Sequence, residues 1–483
     1  MKVVVLGAGI GGLSVACRLR YMGFEVDVIE KNANPGGKAS SLSFDGYTFD
    51  AGPSLFTYPN WLDDVFVFCD KNPREYYDYL KLKLVTRYFF NDQSYFDVFD
   101  NLQDTAKAIE LNTNYSAAKF IDHIKYWNKV YELSEKTFLS GKIKFNLSFL
   151  KAALTWFFQI GLRPIFSSMA SFNKRVINNK KVELLLNRFA TYTGSSPFKT
   201  PAFMNQLAVV EIAKGAYYPK NGIYSIPKAL EQLALDLGVS FSYNQQVEAI
   251  KKTNKKWEIR TENSSTLADL IVSNIDYTFT QHLLGRKFSL STAQLATSGV
   301  VFYWGITAQF DQLQLHNVFF STDYLKEFRQ IFDDEVFPDQ PTVYVNVSAK
   351  MDKLHAKKGC ENWFVMVNVP AKLSLANDLT LSKLKEAVVK LLSDQLNVDL
   401  EKLIECEQIL TPNTLQSDTG AYKGSIYGMN QNTLAKIMSR KDNKDKLANE
   451  LYYVGGTVHP GGGIPLALLS ADNTSKQIQK KYL

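Results

Sequence analysis

The chain reads as a mixed α/β (α+β) fold, and three observations predict it. At the start, "VVVLGAGIGGLSVACRL" is an apolar strand running into a glycine-rich turn and then a helical pattern. More than four hundred residues later, "YYVGGTVHPGGGIPLALLSAD" repeats that layout. Between them, stretches of strand-like alternation are interleaved with stretches of helical spacing. At 483 residues the chain exceeds what one hydrophobic core usually supports, so two or three domains are expected.

The first turn carries chemistry. Residues 2–6 form a short strand, Gly7 to Gly12 the turn, and the helix runs to about Met22, where Gly23 ends it. A second strand over 25–29 finishes at Glu30, eighteen residues after Gly12. In this arrangement Gly7 makes the tight turn, Gly9 lets main chain approach a pyrophosphate, and Gly12 permits close helix-strand packing. The helix N-terminus faces the phosphates, and Glu30 would bond the ribose hydroxyls. A glycine turn that binds nothing leaves the acid at the strand end unexplained. The spacing does not separate NAD from FAD. The paired glycines of "NPGGKASS", Gly36 and Gly37 ahead of Lys38, favour FAD, because they would let main chain lie against a second, bulky part of the cofactor.

The middle of the chain returns to the same sheet. Pro227 opens a helix with Leu230, Leu233, Ala234 and Leu237 at helical spacing before Gly238, and "KKWEIRT" and "DLIVSNID" follow as strands. The cofactor domain is therefore expected from segments 1–75, 200–285 and 440–483, with a helical region over 75–200 and a sheet domain over 285–440. Strand-like "VVFYWGITAQF", "TVYVNVSAK" and "WFVMVNVP" in the latter would roof a flavin, and a long apolar substrate would run beneath them. At the closing turn, a strand over 451–454 leads through Gly455 and Gly456 to a helix from Ile464, with Pro465 at an early position. The free N–H groups and positive dipole end of that helix would face the cofactor edge that becomes anionic on reduction.

Together "GAGIGGL", "EKN..PGGKASS", "FDAGPS", "YPKNGIYSIPKAL", "SNIDY" and "YVGGTVHPGGGIPLALLSA" resemble the FAD-dependent carotenoid desaturases of bacterial phytoene-desaturase type. That family lies within the amine-oxidase-like flavoproteins, whose FAD domain is Rossmann-like and of glutathione-reductase-like type. Most phytoene desaturases carry arginine where this chain has Lys38. That lysine and "NRFATYTGSSPFKTPA" look more like the branch that 3,4-desaturates hydroxylated or methoxylated acyclic carotenoids. The resemblance implies FAD contacts at Gly7, Gly9, Gly12, Glu30, Gly37, Lys38, Gly456, Gly463 and Ile464, and at Val247 through its backbone. It implies an oxidoreductase acting on a C–C bond, with hydride passing to flavin N5. A phytoene- or neurosporene-type desaturase, a carotenoid isomerase and an amine-oxidase-like oxidase remain the alternatives on the same fold.

Residues for acid-base work are few. His459 is the one histidine of five in a cofactor-facing motif, and it is a candidate proton relay or a bond to neighbouring main chain. Arg188 and Tyr192 would bond a substrate hydroxyl or a proton-accepting water, or simply pack. With no second GxGxxG and no CxxC pair, reduced flavin is expected to pass electrons to a quinone or to oxygen. Four separated cysteines indicate neither a disulfide framework nor a metal site. A reduced cytoplasmic protein follows as the expectation; the oligomeric state stays open.

A formal charge of +7 is too mild to imply nucleic acid, yet between Glu135 and Glu183 nine basic residues meet no acidic one. Within that stretch residues 145–170 read as a helix with a narrow polar stripe and a wide apolar sector. Its eleven-residue uncharged run, 152–162, is too short to span a bilayer. An interfacial, monotopic helix that docks on a membrane surface is expected, with a buried helix as the alternative.

Overall fold

A computed structural model describes residues 1–135, 161, 163–253 and 255–483. Its first layer is a five-stranded parallel sheet in the order Leu451–Tyr453, Leu270–Ser273, Lys2–Leu6, Glu25–Ile29 and Ser240–Ser242. Alternate side chains of the central strand serve two cores. Val3 and Val5 pack with the helices Ile10–Tyr21, Ser225–Asp236 and Ile464–Tyr482, whereas Val4 and Leu6 pack against the antiparallel strands Val247–Thr253 and Lys256–Thr261. Burial on both faces is why the strand reads as an unbroken apolar run. The helix read from Pro227 begins two residues earlier, at Ser225, with the proline in its first turn.

The second layer is a seven-stranded sheet in the order Ile404–Leu410, Ser298–Ile306, Glu361–Val369, Val343–Asn346, His316–Phe319, Leu84–Phe89 and Tyr95–Phe99. Its pairs are antiparallel except that of His316–Phe319 with Leu84–Phe89. Alternation again divides the faces. Phe302 and Trp304 turn to the helix Asp378–Leu396, while Val301, Tyr303 and Phe364 turn inward toward Tyr47 and Phe49. Two of these strands come from the stretch after residue 75, which otherwise supplies the helices Leu102–Thr113, Ala117–Ser134, Met169–Ile177 and Lys180–Arg188.

The membrane-docking helix expected at 145–170 lies largely outside the described residues. Of that stretch the structure describes residue 161 and 163–170, including a short helix Arg163–Phe166 with Phe166 80% exposed. Among the described residues no helix is long and apolar enough to cross a membrane.

Candidate functional site

Between the two sheets lies a cavity of about 2070 Å³ that reaches from Gly7, Glu30 and Val247 to Arg188, His316 and Tyr344. Pockets for one small ligand occupy about 300–1,000 Å³, so this one has room for two.

At the dinucleotide end the walls are main chain. Gly7 holds a φ of +94°, and its N–H donates to Ile29 O at 2.8 Å. A Cβ on Gly12 would lie 2.1 Å from Gly7 O, and one on Gly9 would lie 2.5 Å from Asn274 Oδ1. Asn274, in the "SNIDY" stretch, was not singled out by the spacing, yet it joins the two glycine turns. Its Nδ2 donates to Val454 O at 3.2 Å and would lie 2.4 Å from a Cβ on Gly455. Glu30 is buried, and its carboxylate accepts from Ala8 N at 2.7 Å and Asn32 N at 2.9 Å. It braces the turn as well as lining the cavity. Val247 lines the cavity where its strand begins.

Further in, Gly37 and Lys38 line the same space. Lys38 Nζ donates to Ile426 O at 2.5 Å, and burial pulls its pKa down to about 8 against the favourable charge of Asp276. Gly456, Gly463 and the helix start are here too, and Gly463, with φ +97°, precedes Ile464. Arg440, missed in the sequence, spans this turn by donating to Val458 O at 2.9 Å and to Gly456 O. Burial lowers its pKa to about 10, still cationic at neutral pH. His459 sits on the same turn, its N–H donating to Lys441 O and its carbonyl accepting from Asn443 Nδ2, both at 2.8 Å.

The far end is built of side chains. The structure brings Arg188 and Tyr192 together, 3.3 Å apart, and adds Tyr88 and Glu211. Arg188 donates to Tyr88 OH at 2.9 Å and pairs with Glu211 at 3.5 Å; Tyr192 and Tyr88 both donate to that carboxylate. Glu211 is fully enclosed, with Thr86 Oγ1 donating to it at 3.0 Å. Burial raises both tyrosines well above their ordinary pKa, so they stay protonated. Nothing in the sequence pointed to Glu211, because it lies within an ordinary helical pattern, Leu207–Ile212. Among the described residues no cluster of His, Cys, Asp or Glu could hold a metal.

A glycine cradle that side chains would fill, an acid at its rim, an open helix start and two partly buried cations suit a dinucleotide with a flavin. Residues 10–300 match the family described as flavin containing amine oxidoreductase. The chain belongs to that family and is an FAD-dependent oxidoreductase.

Among curated proteins it is 37% identical to a 1-hydroxycarotenoid 3,4-desaturase of Flavobacterium sp. (strain P99-3), over 99% of both chains. It is 32% identical to a 4,4'-diapolycopene oxygenase of Methylomonas sp., over 97% of this chain and 96% of that one. It is also 31% identical to a 4,4'-diaponeurosporene oxygenase of Staphylococcus haemolyticus (strain JCSC1435), over 99% of this chain and 97% of that one. The fold is shared with solved flavoprotein oxidases. Putrescine oxidase superimposes with a TM-score of 0.64 at 11% identity, covering 99% of both chains. An oxidoreductase from Methanosarcina mazei gives 0.62 at 16%, covering 99% of this chain and all of that one.

Proposed function

We propose that the protein is a carotenoid desaturase that introduces the 3,4 double bond into an acyclic C40 carotenoid with a hydroxylated end. The observation that carries this reading is the cavity itself. It is large enough for a second ligand beside the cofactor and is walled by Val301, Phe364, Met366 and Phe328, with the Arg188–Glu211 pair set into that lining. Its 37% identity to a hydroxycarotenoid desaturase points the same way.

Bound FAD supplies the acceptor for a hydride leaving the carbon chain. The protein holds and polarises what it binds. The glycine turns and Asn274 would hold the dinucleotide end, and Lys38, Arg440 and the start of the helix Ile464–Tyr482 would supply positive potential for charge that develops on reduction. Aromatic walls exclude water and align the polyene. Arg188, Tyr192 and Glu211 hold the polar end of the substrate or a proton-accepting water, with His459 as a second candidate relay on the other wall. A quinone or oxygen would serve as the final electron acceptor.

Anaerobic mixing of the purified flavoprotein with candidate carotenoids tests this. A hydroxylated substrate should bleach the flavin and yield a product lighter by two hydrogens. Absence of bleaching with every acyclic carotenoid sinks the desaturase reading, and faster bleaching by phytoene moves the protein to the phytoene branch. The two oxygenase relatives favour a second reading, oxygen insertion, which a heavier product in air would reveal.

A C40 hydrocarbon must be taken from a bilayer, so we place residues 145–170 on a membrane surface. Tyr131, Ser134 and Ile165, which flank the undescribed stretch, line the cavity. Flotation with anionic vesicles should fail when Trp156, Phe157 and Phe158 are replaced by serine while flavin content is unchanged. Unaltered flotation would return this segment to the core.

A further inference from the structure

Among the cavity-lining polar atoms with no hydrogen-bond partner in the described residues, which include Tyr58 OH, Gln206 Oε1 and Tyr303 OH, two are His316 Nε2 and Tyr324 OH. Both side chains line the cavity, and they are only 1% and 5% exposed. His316 opens the strand His316–Phe319, and its neighbours define what that nitrogen offers. Asn346 Nδ2, which already donates to Leu315 O at 3.0 Å, lies 3.2 Å from His316 Nδ1. An amide N–H₂ only donates, so Nδ1 is the acceptor, and Tyr344 OH stands 2.7 Å from the same nitrogen. Burial, reinforced by the charge of Arg188, pulls the ring's pKa down to about 3, so it is neutral. A neutral imidazole that accepts at Nδ1 carries its proton on Nε2. The wall therefore presents a buried N–H donor that none of the described residues satisfies, which is a destabilising arrangement unless a ligand oxygen meets it.

The position of that donor ties it to the reaction. Tyr344 OH is also 2.6 Å from Ser54 Oγ, and Ser54 follows Gly52, whose Cα packs so tightly that a Cβ would lie 1.8 Å from Lys38 O. His316 is thus two hydrogen bonds from the loop pressed against the cofactor side. In a chain hydroxylated at one end, the oxygen is only two carbons from the bond to be oxidised, so an oxygen-binding group has to stand close to the flavin. The Arg188–Glu211 cluster is the other candidate for the substrate's polar end, its described bonds to Tyr88, Tyr192 and Glu211 all made through Arg188 Nη1, and variants of His316 distinguish the two.

We propose that His316 is a specificity-determining residue, its Nε2–H donating to the hydroxyl oxygen of the substrate's end group. The proposal rests on the carotenoid reading above and names the group that would tell a hydroxylated end from a hydrocarbon one. A site built to bond an oxygen rejects the analogue lacking it, because the donor is then buried unmatched.

The test is the ratio of kcat/KM for a 1-hydroxylated acyclic carotenoid to that for the hydrocarbon of the same polyene length. It is measured in wild type, His316→Gln and His316→Met, with flavin absorbance per chain recorded for each. Wild type should prefer the hydroxylated substrate by about 5- to 150-fold. His316→Gln, which keeps an N–H donor, should retain most of the preference; His316→Met, similar in volume, should bring the ratio close to one. A flavin-loaded His316→Met enzyme that keeps the preference overturns the inference. So does a wild type that desaturates both substrates equally, a measurement that needs no variant. Failure of the underlying reading looks different: neither carotenoid bleaches the flavin.

Discussion

The two ends of the cavity are built by different means. At the dinucleotide end, Gly9, Gly11, Gly12 and Gly455 all crowd Asn274, and a Cβ on any of them would lie 2.4 to 3.2 Å from an atom of that side chain. The wall is main chain held at contact distance. At the substrate end, Arg188, Glu211, Tyr88 and Tyr192 come from two helices, a strand and a 3-10 turn, and they meet through side-chain hydrogen bonds. A main-chain wall has no slack, whereas a side-chain cluster can lose a member and repack. Mutations at the first end should therefore remove fold and flavin together; those at the second should separate stability, cofactor content and turnover.

The largest effect belongs to Gly12→Ala. Its Cβ would sit 2.1 Å from Gly7 O, with Asn274 Cβ at 3.1 Å, and neither main chain nor the shared asparagine can withdraw. We expect loss of more than about 4 kcal/mol, no bound flavin and little soluble protein, read from flavin absorbance and thermal melting. A stable, yellow Gly12→Ala protein would break the comparison at its first term.

Glu211→Gln probes the other end. It leaves the Arg188 guanidinium, whose side chain is only 12% exposed, without the carboxylate that neutralises it. Breaking such a pair costs about 3–5 kcal/mol, but removing both charges is often close to neutral. Urea unfolding should show Glu211→Gln destabilised by about 4 kcal/mol and Arg188→Met/Glu211→Leu mostly restored, with flavin bound in both. If the double variant is as unstable as the single one, this cluster is as rigid as the glycine turns.

That contrast also explains what could be read in the chain. The β-turn-α-β unit over residues 2–30, with its glycine turn and the acid at position 30, follows from local spacing, because its parts act within some thirty residues of one another. Arg188 and Tyr192, four residues apart, could be paired for the same reason. Glu211, His316, Tyr344 and Arg440 could not. Each sits in an ordinary strand, helix or polar loop pattern that no spacing marks, whether its partner is near, as Val458 is to Arg440, or far off in sequence, as Ser54 is from Tyr344. Asn274 was within a recognised motif, but its function of separating two turns is a contact across 180 residues and leaves no periodicity.

A third expectation concerns pH. Burial raises the Glu327 carboxyl to about 7 from its ordinary 4.5, although Thr342 donates to it from N at 3.0 Å and Oγ1 at 2.7 Å. Between those values the folded protein keeps a proton that the unfolded chain has released. The stabilisation is whole below the unfolded value and is lost as pH rises through the folded one. Asp50, also lifted to about 7 by burial, adds a second such group at the hairpin beside Lys38. Stability should therefore fall between pH 5 and pH 8, and Glu327→Gln should remove about 3 kcal/mol of that fall while Asp50 sustains the rest. A variant with an unchanged pH profile would show that Glu327 titrates normally.

The smallest effect on stability separates two neighbouring glycines within the main-chain wall. A Cβ on Gly36, at φ +117°, would lie 2.1 Å from Ala39 O, so that position is closed by the protein itself. Gly37, at φ +59°, is different: its Cβ would meet only Gly9 Cα at 3.5 Å, an ordinary contact, and the remaining space is cavity. Alanine at 37 then costs the folded chain only the strain of a left-handed residue, about 1–2 kcal/mol, and asparagine, which tolerates that conformation, costs less. If the paired glycines exist so that a bulky part of FAD can lie against main chain, both substitutions should weaken FAD binding by at least about tenfold while melting of the flavin-free protein shifts by only a few degrees. Isothermal titration of the flavin-free variants with FAD measures the first quantity and calorimetry the second. Unchanged FAD affinity in Gly37→Asn would mean that the cofactor stays clear of this residue, and that the wall at 37 is set by the turn alone.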